Sequence, residues 1–163
     1  MRQPALERPS QPAVVLVLES PHVREFANEV GPAQGTTGTN IARYLEMVPG
    51  LGAAGSHGLI LVNAIQFQCS LGCATKLHRD RIFLTAWRRG GRDDLCERIQ
   101  RIYRSGDTLV CACTKGGGGR GAELRRLVYQ ALSEVFPSVD ILRRCHPATW
   151  NIPNSRKHDW GLA

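Results

Sequence analysis

Four short apolar, β-branched runs recur along the chain and limit what it can fold into: AVVLVL (13–18), GLILVNA (58–64), DTLVCAC (107–113) and VDILRRC (139–145). Runs this continuous suit strands covered on both faces, as in a parallel sheet. The stretches between them carry helical periodicity. Thr39–Met47 sets Ile41, Tyr44 and Leu45, with Val48 just beyond, on one face; Asp93–Arg104 does the same with Leu95, Ile99, Ile102 and Tyr103 behind an acidic start. Ala122–Phe136 repeats the pattern with Leu124, Leu127, Val128, Ala131, Leu132 and Val135. Alternating strand and helix predicts a three-layer α/β/α sandwich around a central four-stranded, mainly parallel sheet, with right-handed crossovers. Residues 13–163 read as one domain. Residues 1–12 read as a flexible N-terminal segment, and the tail after Asn151 as loosely attached.

That architecture directs attention to the strand ends, because ligands of open parallel sheets bind at the carboxyl edge. All four runs end in chemically loaded residues: Glu19-Ser20-Pro21-His22, Asn63, Thr114-Lys115-Gly116 and Cys145-His146-Pro147. A carboxylate at Glu19 suits orienting a water or stabilising a cationic transition state, and equally suits capping a following helix. The Asn63 amide offers a donor and an acceptor together, which suits reading a base edge or tying adjacent loops. Pro147 pins the backbone beside His146, whose imidazole would then donate to a leaving group from the cleft unless it is structural. Trp150 is either core or an exposed wedge.

Two small-residue loops accompany these ends. CTKGGGGRGAEL (113–124) is a glycine run opening a helix, with Lys115 and Arg120 inside it; bare N–H groups there favour phosphate, although no Walker A motif closes it. GPAQGTTGTN (31–40) leads into a helix that Thr39 or Asn40 would cap.

The charge is one-sided. Residues 1–75 carry four Arg against five Glu, whereas residues 76–163 carry seventeen Lys/Arg against nine Asp/Glu, for a net +7 overall. Such a surplus fits either a generically basic protein or a polyanionic partner, of which nucleic acid is the commonest. No apolar run reaches transmembrane length and residues 1–12 are too polar for a signal peptide, so a soluble, cytoplasmic protein with no membrane partner is expected. The six cysteines are then expected reduced. Cys69 and Cys73 have no second pair at ligand spacing, so no metal is expected. Cys111 and Cys113 read as small core residues.

Taken in order, these pieces resemble the uracil-DNA glycosylase superfamily, especially its bacterial iron–sulfur branch. That branch has Gly-Glu-x-Pro-Gly after its first strand, Pro-Phe-x-Gly-x-x-Gly in a loop, a strand ending in Asn, and His-Pro-Ser near the C-terminus. Here the matches are Leu18-Glu19-Ser20-Pro21-His22, Pro32-Ala33-Gln34-Gly35-Thr36-Thr37-Gly38, Asn63 and His146-Pro147-Ala148, spread over about residues 13–151. The resemblance implies hydrolysis of an N-glycosidic bond in a nucleotide flipped out of double-stranded DNA, with no metal at the reaction centre. Glu19 would orient the water or stabilise the oxocarbenium-like sugar, and His146 would stabilise the departing base. Asn63 would read the base edge, with Ser20, His22, Ala33 and Gln34 lining the same pocket. Lys115, Gly116, Gly117, Arg120 and the segment Lys76–Arg104 would grip phosphates. The 146–151 loop, with Pro147 and Asn151, would enter the minor groove, Thr149 or Trp150 holding the vacated space.

The departures from the family pattern shape the substrate. Its stacking Phe falls on Ala33, its Gly after the proline on His22, and its cluster cysteines are unmatched, so no iron–sulfur cofactor is expected. Without the aromatic, bare uracil loses stacking of roughly 1–3 kcal/mol per base. A bulkier modified base, such as a hypermodified phage cytosine in antiviral defence, is then the expected substrate. Uracil excision in base repair, a hydrolase or transferase acting on free nucleotides, and a non-catalytic nucleic-acid-binding module are the rival readings. A monomer is expected.

Overall fold

The computed structural model describes residues 8, 12–22, 25, 33, 35–52, 58–69, 75–116 and 123–161, the side chains of 75–77 apart. Four strands, β1 (Ala13–Leu18), β2 (Gly58–Asn63), β3 (Thr108–Cys111) and β4 (Leu142–Arg143), form one sheet in the order β2-β1-β3-β4. Every pairing is parallel. The expected α/β class and four-stranded sheet are therefore present, and the sheet is wholly rather than mainly parallel. The fourth strand is shorter than its apolar run, because residues 137–139 turn before it.

Period-two alternation splits the core in two. Val15 and Val17 of β1 with Leu109 and Cys111 of β3 face one layer, where Phe83, Leu95, Ile99, Val128 and Leu132 cover them. Val14, Leu16 and Leu18 with Val110 and Ala112 face the other, against Ile41, Val48, Leu51 and Trp150. Burial on both faces is why these strands read as unbroken apolar runs.

The helices are α1 (Thr36–Tyr44), α2 (Thr75–Ala86), α3 (Arg92–Ile102), α4 (Leu124–Val135) and a short α5 (Pro153–Lys157). The α1 helix starts three residues before the predicted one, so neither Thr39 nor Asn40 caps it; Gly35, at φ 77°, holds that place. Gly38 is dictated by space, since a Cβ there would lie 1.8 Å from the Ala33 carbonyl oxygen. The amphipathic pattern did not reveal α2, which joins α3 through a kink at Arg89 and Gly90. No described helix is long and apolar enough to cross a membrane.

Apart from Arg8 and Pro12, residues 1–12 lie outside the described residues; Arg8 and the tail after Asn151 carry specific anchors. Arg8 forms a bidentate pair with the buried Asp107 at 2.6 and 2.7 Å, and Asp107 also accepts from the N–H groups of Ala13 and Arg104. Beyond Asn151, Trp160 is buried and donates to the Arg144 carbonyl at 2.9 Å, while Asp159 pairs with Arg143. These polar anchors are invisible to hydrophobic periodicity.

Candidate functional site

In the order β2-β1-β3-β4 the chain leaves β1 toward β2 and later returns to its other side for β3. The crevice of such a sheet opens between those two strands, outside their carboxyl ends. Glu19 follows β1 and Thr114 lies just past β3. They meet there: Thr114 Oγ1 donates to Glu19 Oε1 at 2.8 Å, and its backbone N–H donates to Oε2 at 3.3 Å.

His146 comes in from β4. Its Nε2 lies 3.2 Å from Glu19 Oε2. The Ala148 N–H donates to its Nδ1 at 3.2 Å. Nδ1 is thus turned to the backbone and Nε2 faces the carboxylate. Burial pushes the Glu19 carboxyl up, but the His146 charge and hydrogen bond, its own backbone N–H and Thr114 together outweigh it and bring it down to about 2. Glu19 is therefore an ionised, nearly buried carboxylate at neutral pH. Of its two sequence readings, cap or reactive acid, the helix-cap reading finds no support in these partners.

The His146 turn is held by α1. Asn40, buried on α1, donates to the carbonyls of Pro147 at 2.9 Å and Ala148 at 3.1 Å. Trp150 donates to the Cys145 carbonyl at 2.8 Å and is fully buried. Of its two readings, core or wedge, Trp150 is therefore core; an indole packed under the sheet cannot enter a groove. Pro147 is buried too, whereas Thr149 and Asn151 are exposed.

Asn63 closes β2, and the two residues after it bond back to β1: Ala64 N–H to the Leu18 carbonyl and Ile65 N–H to that of Glu19. Arg98 of α3 fixes the same corner by donating to the carbonyls of Asn63 and Ala64. Asn63 itself donates to Glu25 at 3.4 Å, and Glu25 accepts the His22 N–H at 3.0 Å and the Ala33 N–H. Burial raises the Glu25 carboxyl above its ordinary value, against those hydrogen bonds. Ser20 turns instead to the buried Cys69, whose thiol burial pushes up to about 11.

Ala33, at φ 59°, packs its methyl into the apolar cluster with Leu18, Ile41 and Trp150. That placement corrects the expectation that the Ala33 side chain lines the base pocket, because the methyl fills the layer beneath the sheet. Lys115 is exposed and pairs with Glu123 at 3.5 Å, and Gly116 packs against Leu124. Gln34, Gly117, Arg120 and Cys73 lie outside the described residues.

The structure thus brings Glu19, Thr114 and His146 into one cluster and Asn63, Glu25 and His22 into a neighbouring one. Sequence reasoning passed over Glu25, Arg98 and the bridging role of Asn40. The available signals were an acid six positions after Glu19 and an Asn beside the apolar stripe of α1. It also passed over Phe67, whose ring is 73% exposed four residues after Asn63. No protein-family model, curated protein or solved structure matches the chain.

Proposed function

We propose that this chain is a DNA glycosylase, a divergent member of the uracil-DNA glycosylase superfamily that hydrolyses the N-glycosidic bond of a flipped-out base and leaves an abasic site. The observation that carries the reading is the 3.2 Å approach of His146 Nε2 to the ionised Glu19 at the switch point of the sheet. A fixed carboxylate in a largely buried setting is suited to stabilising an oxocarbenium-like sugar and to orienting the attacking water. The Nε2–H now directed at Glu19 is the donor that a departing base oxygen would take over. Thr114 keeps the carboxylate in place meanwhile.

Several features favour DNA as partner. The kink carrying the exposed Arg88 and Arg89 packs on the loop after Asn63: a Cβ on Gly91 would lie 2.4 Å from Ile65 Cδ1. Two cations beside the crevice suit flanking phosphates. Phe67, four residues past the end of β2, supplies an exposed ring that suits stacking on a base. The expected substrate is a modified base rather than plain uracil. A hypermodified cytosine of phage DNA is the candidate we favour, which would make the protein a defence factor. The test is formation of alkali-labile sites in phage DNA carrying glucosylated hydroxymethylcytosine, run beside a uracil-containing duplex. Scission of the modified DNA supports the reading. Cleavage of the uracil duplex alone would return the substrate to uracil.

A further inference from the structure

The neighbouring cluster has a polarity that bears on which base is read. The Glu25 carboxylate is buried, and its hydrogen-bond contacts among the described residues, the N–H groups of His22 and Ala33 and the Asn63 Nδ2, are all donors. An ionised carboxylate only accepts hydrogen bonds, so it decides which way the Asn63 amide faces: nitrogen toward Glu25, oxygen away. That oxygen, Asn63 Oδ1, is buried and has no hydrogen-bond partner among the described residues. A buried acceptor left open carries its desolvation penalty until something donates to it. The corner cannot easily turn aside, because Arg98 holds the Asn63 carbonyl and Ala64 and Ile65 are bonded back to β1.

We infer that Asn63 and Glu25 together select a base bearing an exocyclic amino group, a cytosine-type edge, over its oxo counterpart; the inference rests on the glycosylase reading above. An amino group donates one hydrogen to the open Oδ1 and directs its second toward the Glu25 carboxylate. A carbonyl oxygen in the same place faces acceptors from both residues. Glu25 is thus a specificity-determining residue, acting through the orientation it gives Asn63.

The test uses pairs of duplexes that differ only in amino against oxo: 5-hydroxymethylcytosine with 5-hydroxymethyluracil, and the glucosylated form of each. Single-turnover base release by the full-length protein is expected to favour the amino member of a pair by roughly tenfold to a hundredfold. Glu25→Gln gives position 25 a donor and frees the amide to reverse, so the ratio falls toward one. If that variant fails to fold, Asn63→Ala serves in its place, because it removes the acceptor and is expected to bring the ratio toward one. Equal or faster release of the oxo base by the wild type overturns the inference while leaving the glycosylase reading intact. If no duplex is cleaved, the glycosylase reading fails. Equilibrium binding to the same pairs then decides the selectivity, and equal affinity for amino and oxo members overturns it as well.

Discussion

Asn40 Nδ2 sits 2.9 Å from the Pro147 carbonyl oxygen, a contact spanning 107 positions of sequence. With the second bond to Ala148, it ties the His146 turn to α1. Asn40→Ala is expected to cost about 1–3 kcal/mol of stability, the sum of two lost hydrogen bonds, since Pro147 keeps its bond from the Trp150 N–H. Turnover should fall by about tenfold or more, because His146 loses its fixed position. Urea unfolding and single-turnover kinetics check the two effects. Asn40→Asp should not restore activity, since a carboxylate repels both carbonyls.

Glu19→Gln removes the charge while nearly keeping the shape. Base release should drop by roughly a hundredfold to ten-thousandfold, with duplex binding retained. His146→Ala should lose roughly a hundredfold or more by the same general acid–base argument. Circular dichroism establishes that the fold survives, and a gel-shift titration follows binding.

The low Glu19 carboxyl gives stability a defined pH dependence. Its folded value, about 2, lies below the ordinary 4.5. The stabilisation is therefore present above about pH 4.5 and lost as pH falls toward 2, in total on the order of 3 kcal/mol. Urea midpoints measured from pH 6 to pH 2.5 should show wild type losing its advantage over Glu19→Gln across that interval. A constant gap would mean that Glu19 is not held by His146.

Asp107 makes a comparable case away from the site. Its side chain is fully buried and accepts from Arg8, Ala13 and Arg104. Asp107→Ala leaves a guanidinium that is 13% exposed without its partner, and breaking such a pair costs about 3–5 kcal/mol. Thermal unfolding tests this, and Arg8→Ala should be nearly as damaging.

Phe67 is the opposite kind of residue. Its ring is exposed, so Phe67→Ala should leave the melting temperature almost unchanged. Loss of a stacking contact worth about 1–3 kcal/mol should weaken duplex binding by tenfold or more, measured by fluorescence anisotropy.

The fold was legible because its two central strands are buried on both faces and its amphipathic helices obey a period of 3.6. Glu19, Asn63 and His146 could be picked out because each interrupts or ends an apolar run. Asn40 and Glu25 could not, since their roles depend on partners that only folding brings near. Trp150 was ambiguous for a related reason: an indole four residues past a histidine looks the same in sequence whether it packs inward or projects. The α2 helix escaped notice because it lacks a continuous apolar stripe and packs through Phe83 and partly buried neighbours.

The most direct measurement is mass-spectrometric detection of free base released from phage DNA carrying glucosylated hydroxymethylcytosine, with wild type and Glu19→Gln side by side. The account predicts release of the intact modified base, one abasic site per base, and near-complete loss in the variant. Free base appearing equally with both proteins, or none with wild type on any modified or uracil-containing DNA, would contradict it.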